Sequence, residues 1–260
     1  MGGPPDLPDW RDGAAYAPLL SAGRPAIAWE WLRRDPAYRR AAGTHEAGAA
    51  RSWIVDADRR AAPWGLHAFE RPGLAVPAAR PVWRRERMTQ IVEASADAGG
   101  DPAGWFELET LAPLARLVLE ASGSEHLLLS DGLRSIRLDI VKGSLLAGPV
   151  GLGFRLGGLE GIDRPLLALR QFVHLARTGR FSARLHPAEP RSARWVLLLR
   201  AWDGIARGAD QRRIARHLLG REAEDPRWRV EAPALRSRAQ RLVRDARRMA
   251  SGGYWALLGG

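Results

Sequence analysis

A chain of 260 residues that is 46% apolar can bury one large core or two small ones, which excludes a wholly disordered polypeptide. It has no cysteine, which excludes disulfides, thiolate-held zinc, iron–sulfur clusters and cysteine nucleophiles. The net charge of +11 is unevenly placed: residues 1–169 carry 20 basic and 21 acidic side chains, whereas residues 170–260 carry 20 arginines and 8 acidic side chains.

A basic final third on a near-neutral body points to a polyanion, nucleic acid first. A GC-rich genome would explain the preference for arginine over the lone Lys142, but not the asymmetry. The start, Met1-Gly2-Gly3-Pro4-Pro5-Asp6, lacks a charged-then-apolar leader. No apolar run approaches the roughly 18 residues a membrane span needs. The expectation is a cytoplasmic, nucleoid-associated protein with no membrane partner.

Residues 9–60 read as short helices rich in aromatics. Trp10 and Tyr16 fall on a first helix that Asp9 could cap, and Pro25 suits the first turn of a second. Asp35-Pro36 stops that helix and opens a third holding Tyr38, while 41–50 reads as a loop or frayed end. The aromatics could stack on bases, but a small helical core is the better reading. Residues 61–87 contain Pro63, Pro72, Pro77 and Pro81 and read as an extended connector. Residues 108–120 look helical, with Leu111, Leu114, Ala115 and Val118 at helical spacing.

From residue 126 the period changes to two. Asp131-Gly132 joins an apolar run to alternating Ile136, Leu138 and Ile140, a hairpin signal. Leu152, Phe154 and Leu156 give a third strand of a small antiparallel sheet. A helix then opens at Asp163-Arg164-Pro165, with Leu166, Leu169, Phe172, Val173 and Ala176 as its stripe and Gly179 as its stop.

Three more helices follow residue 191. Trp195, Leu198, Leu199, Trp202, Ile205 and Ala206 line the first. Asp210 can cap the second, at 211–219, which buries Ile214, Ala215 and Leu218. The third, at 233–250, puts Leu235, Ala239, Leu242, Val243, Ala246, Met249 and Ala250 on one face. Its opposite face centres on Ser237, Arg241, Arg244 and Arg248, with Gln240 at the edge and Arg236, Arg247 and Arg238 flanking. Arginine and glutamine can read base edges in a major groove while further arginines hold phosphates. Two short helices and a basic third resemble a helix-turn-helix unit, although the twelve residues 221–232 exceed its usual turn of about 3–4. Trp228 would pin that insertion to the helices. A solvated arginine-rich surface helix is the bland alternative.

The expected fold is therefore α+β and mostly helical, with a small antiparallel sheet in the middle and a C-terminal helix-turn-helix-like unit. Its divisions are an N-terminal helical part (1–60), a proline-rich connector (61–87), a mixed platform with the hairpin (88–189) and the DNA-binding unit (190–260).

Several spaced stretches carry a resemblance. They include Leu128-Leu129-Ser130-Asp131-Gly132, Ile136-Arg137-Leu138-Asp139-Ile140-Val141, 143–150, 177–181, Arg212-Arg213-Ile214-Ala215, Leu235-Arg236-Ser237-Arg238 and Gly252-Gly253-Tyr254. On these, residues 126–258 resemble the RovC-like transcriptional regulator DNA-binding domain. Asp9-Trp10-Arg11-Asp12, Tyr16 and 28–34 resemble the transcriptional-regulator-like domain often fused to it. The resemblance implies a bacterial DNA-binding regulator, oligomeric, of the kind found on mobile elements and near secretion genes.

Enzymatic readings are weaker. In 151–158 the third glycine of a dinucleotide loop would be Leu156, and the segment alternates like a strand. The six histidines His45, His67, His126, His174, His186 and His217 are scattered without ligand spacing, and Ser124-Glu125-His126 is a poor nucleophile–base pair. No catalytic residue, cofactor or metal is expected. The leading function is a transcriptional regulator binding double-stranded DNA as a homo-oligomer. Its contacts would be Arg212, Arg213, Arg236, Ser237, Arg238, Gln240, Arg241, Arg244, Arg247 and Arg248. Of these, Arg241 and Arg244 would read the groove, and Arg212 and Arg213 would hold backbone phosphate at a helix N-terminus. The alternative is an assembly factor whose basic C-terminal region docks on an acidic partner.

Overall fold

A computed structural model describes residues 7–43, 53–99, 104–220 and 231–259. Trp10 and Tyr16 do not share an α-helix. Pro18 lies within a short 3₁₀ helix, Ala14–Ser21, and Asp9 instead accepts from the Arg11 backbone N–H at 3.0 Å. Helix α1 (Arg24–Leu32) carries Pro25 in its first turn, and Asp35 caps α2 (Pro36–Gly43) by accepting from the Ala37 N–H at 2.7 Å. Residues 44–50 of the expected loop lie outside the described residues. Trp10, Tyr16, Trp29, Trp31 and Tyr38 are all buried, so the aromatic cluster is core and not a stacking platform.

The centre is a six-stranded mixed sheet, larger than the small antiparallel one expected. Its strands are β1 (Ile54–Asp56), β2 (Val92–Asp97), β3 (Ala115–Leu119), β4 (Glu125–Ser130), β5 (Ser135–Lys142) and β6 (Gly151–Arg155), in the order β1-β3-β4-β5-β2-β6. Strands β3, β4 and β5 form an antiparallel meander. The parallel pairs are β1 with β3 and β2 with β5.

The expected hairpin is β4–β5, with Ile136, Leu138 and Ile140 buried on one face. Asp131 Oδ1 accepts from the Leu133 and Arg134 N–H groups in the turn. Gly132 sits at φ +93°, and a Cβ there would lie 1.8 Å from the Pro77 carbonyl oxygen. The third strand exists as β6 but pairs antiparallel with β2, not with the hairpin.

The expected helix at 108–120 is a correction. Residues Leu108–Leu114 form a 3₁₀ helix containing Pro113, and β3 follows. Leu117 and Val118 are both fully buried, so β3 is covered on its two faces and its apolar residues mimic helical spacing. Within 61–87, Leu66 and Trp83 form an isolated antiparallel bridge and are buried, so this segment wraps the core.

Helix α3 (Asp163–Thr178) ends at Gly179, φ +66°, as the sequence indicates. Its buried residues are Ala168, Gln171, Phe172 and Leu175, whereas Leu166 of the expected stripe is 40% exposed. The helix is turned so that Gln171 faces inward, where its amide accepts from Gln90 at 2.9 Å and donates to the Leu185 carbonyl at 2.6 Å.

Two main cores result. One joins the sheet to α3, from Val92 to Leu175. The other joins the two ends of the chain, with Trp10, Trp29, Leu66 and Trp83 packed among Leu198, Leu242 and Leu258.

Candidate nucleic-acid interface

Helices α4 (Ser192–Ala206), α5 (Gln211–Leu218) and α6 (Pro233–Ala250) pack on one another, and a short α7 (Ala256–Gly259) closes the chain against α1. α4 buries Trp195, Leu198 and Leu199 as expected, but also Asp203, and it leaves Ala206 exposed. Asp210 caps α5 by accepting from the Arg213 N–H at 2.7 Å. α5 buries Ile214 and Ala215. The insertion at 221–230, with Trp228, lies outside the described residues.

α6 buries Leu235, Ala239, Leu242, Ala246 and Met249. Val243 and Ala250 are half-buried. Its other faces leave Arg236, Ser237, Arg238, Gln240, Arg241, Arg244, Arg247 and Arg248 exposed. The one acid of this helix, Asp245, is turned toward α4, where Arg194 donates to it at 2.8 Å. Arg244 passes 3.5 Å from the same carboxylate with its side chain 72% exposed, an ion pair too solvated to hold it. Arg213 is exposed, and Arg212 is half-buried and already engaged within the chain.

Other arginines of the basic third are committed to the fold. Arg200 donates to the Trp10 and Arg11 carbonyls at 2.9 and 2.8 Å, and Arg207 to those of Pro8 and Leu7 at 2.8 and 2.6 Å. Arg216, exposed beside His217 on α5, is a further cation that the sequence reading passed over. Its position one turn on from Arg212 was the available signal.

The N-terminal helices hold this unit through a buried polar network. Arg34 donates from Nε and Nη2 to Asp203 of α4 at 2.7 and 2.9 Å and from Nη1 to Glu30 at 2.5 Å. The Tyr16 hydroxyl donates to Asp203 at 2.6 Å. Burial would raise the Glu30 carboxyl, but Arg34 and Arg33 outweigh it and hold that carboxyl below its usual range.

The histidines are less scattered in space than in sequence. His67 and His126 stack with ring centroids 3.5 Å apart and an interplanar angle of 23°. His67 Nδ1 lies 3.0 Å from Glu120, and His126 Nδ1 lies 2.7 Å from Asp139. Stacked rings keep their lone pairs in near-parallel planes instead of converging them on one ion, and Arg137 already donates to Asp139 at 2.9 Å. The group is a buried polar layer on the sheet face away from α3.

Two comparisons bear on these elements. Residues 160–259 match the RovC DNA-binding family model, described as a T6SS transcription factor DNA-binding domain. Residues 9–67 match the proteobacterial transcriptional regulator-like domain. No curated protein matches the chain.

Proposed function

We propose that this chain, whose residues 160–259 match the RovC DNA-binding family and whose residues 9–67 match the proteobacterial transcriptional regulator-like domain, is a transcriptional regulator that binds duplex DNA through the outer face of α6. The observation that carries this reading is the division of α6. Six arginines lie on its exposed sides, Leu235, Ala239, Leu242, Ala246 and Met249 are buried, and its single acid is held by α4. Arg241 and Arg244 enter the major groove, with Gln240 and Ser237 beside them. Arg236, Arg238, Arg247 and Arg248 reach phosphates on either side. The α5 N-terminus sets Arg213, with Arg212, against the backbone, where the helix dipole adds to their charge.

This activity needs no catalytic group or cofactor. Among the described residues no helix is long and apolar enough to cross a membrane, and the proposed place of action is the bacterial nucleoid. The test is titration of the whole protein against sites recovered by genomic footprinting and against scrambled duplexes, in a salt series. Tighter binding to recovered sites and a steep fall with salt support the reading. Equal, salt-insensitive binding to both would overturn it.

A further inference from the structure

We propose that a cavity between the N-terminal helices, the sheet and the C-terminal region binds a small organic acid, a compact apolar molecule carrying one carboxylate and one hydroxyl. The cavity has a volume of about 370 Å³. That is at the small end of ligand sites, which run to about 300–1,000 Å³. Its wall is built from the start of α1, residues 88–90 before β2, the β4–β5 turn, α3, the loop at 185–189 and α7. It thus joins residues of both family-matched segments, 9–67 and 160–259, to the sheet between them.

The wall divides by chemistry. Met88, Leu167, Leu257 and Leu258 give it an apolar side. Arg24, Arg134 and Arg164 line it with a single acid, Glu189. Arg134 is committed, since Asp131 holds it at 2.7 Å. Arg24 is only half used. Its Nε donates to Glu189 at 2.6 Å, and among the described residues its two Nη groups have no hydrogen-bond partner. A guanidinium with donors to spare suits a carboxylate. The N-terminus of α1 borders the same space through Gly23 and Pro25, with no side chain capping it, and its dipole adds to the attraction for an anion.

His186 sets the second polar contact. Its Nδ1 lies 3.0 Å from the Ser182 carbonyl oxygen, which can only accept, so the proton sits on Nδ1 and Nε2 keeps its lone pair. Nε2 is buried and has no hydrogen-bond partner. Burial holds this imidazole below its usual pKa, so Nε2 remains an acceptor at neutral pH. Gln171, also in the wall, does not serve it, because its amide is taken by Gln90 and the Leu185 carbonyl. A buried acceptor facing a cavity calls for a donor on whatever enters, and a hydroxyl is the smallest. A carboxylate for Arg24, a hydroxyl for His186 and an apolar body for Met88 and the leucines define the ligand class.

The test is titration calorimetry of the full chain, without DNA. The probes are para-hydroxybenzoate, para-hydroxyphenylacetate and para-hydroxyphenylpropionate, which differ in reach, each beside its analogue lacking the hydroxyl. At least one hydroxylated acid should bind once per chain, raise the unfolding temperature and bind about tenfold more tightly than its analogue. Arg24→Gln, which keeps a donor for Glu189, should weaken that binding about tenfold. His186→Phe, which keeps a ring against Phe181, should erase the preference for the hydroxyl. Arg59→Gln, at an exposed arginine outside the cavity wall, should change neither. Absence of binding by all the probes, equal binding with and without the hydroxyl, or equal losses in Arg59→Gln and Arg24→Gln would overturn the proposal. Should His186→Phe fail to fold, the paired analogues and Arg24→Gln still decide it. Failure of the DNA reading would leave every one of these readouts unaffected.

Discussion

At the scale of single residues, the arginines divide by what they can reach. Arg241 lies near the middle of the exposed face of α6, so Arg241→Ala should cost about 1–3 kcal/mol at a preferred site and flatten base preference. Arg213→Ala should weaken preferred and scrambled duplexes alike and lower the salt slope by about one. Titrations of both variants on both duplexes separate the two effects, and unchanged affinity in both would remove the basic face from the binding reaction. His67 carries a different expectation. Burial first, then the neighbouring His126 and Arg137, push it down to about 2, while Glu120 and Asp139 face it with opposite charge. An unfolded histidine titrates near 6.5, so below that pH the unfolded chain binds the extra proton. Stability should fall as pH drops from about 6.5, by up to about 1.4 kcal/mol per unit from this group. Urea unfolding between pH 7 and pH 5 should show a shallower loss in His67→Gln, and equal slopes would contradict it.

At the scale of elements, the joint between α1 and α4 rests on buried charge. Arg34→Ala would leave Asp203 buried with no cation, a loss of about 3–5 kcal/mol. Asp210→Ala removes the α5 cap at a typical cost of about 1 kcal/mol, read as a shift in the denaturation midpoint. How far each element could be read from sequence follows its local pattern. α6 has a start at Pro233, a repeating apolar stripe and no break over 18 residues, and its observed bounds equal the predicted ones. The β4–β5 hairpin was legible because its turn chemistry and its alternation agree. Strand β2 also alternates, as Val92-Glu93-Ala94-Ser95-Ala96-Asp97, but its alanines and serine are too small to stand out. β1 is too short to carry any period. In α3 the stripe misled because Gln171, polar in composition, is buried with its amide satisfied. Of the interface, the exposed face of α6 was legible, whereas the use of Arg200 and Arg207 as struts to the N-terminal backbone was not. Partners 190 and 199 residues away leave no local trace.

At the scale of the whole molecule, that joint makes helices α4, α5 and α6 dependent on the N-terminal segment. A fragment of residues 160–259 retains α4, α5 and α6 but loses Trp10, Tyr16, Trp29 and Trp83 from their shared core. It should unfold at a markedly lower temperature than the full chain and expose apolar surface to a hydrophobic dye. A fragment as stable as the full chain would show the joint to be dispensable.

The shared core also sets an order of events during synthesis. Residues 53–178 hold all six strands and α3, so that layer can close while the C-terminal helices are still in the ribosome. Trp29, Trp31 and the charged pair Glu30–Arg34 emerge earlier but find Asp203, Leu242 and Leu258 only when the last residues are released. For most of translation the first forty residues thus have only residues 61–91 of that core to pack on. The C-terminal helices and the full cover of this aromatic segment are completed in the same final step, so a nascent chain stalled before residue 200 should be bound by chaperones more at its N-terminus than at its sheet.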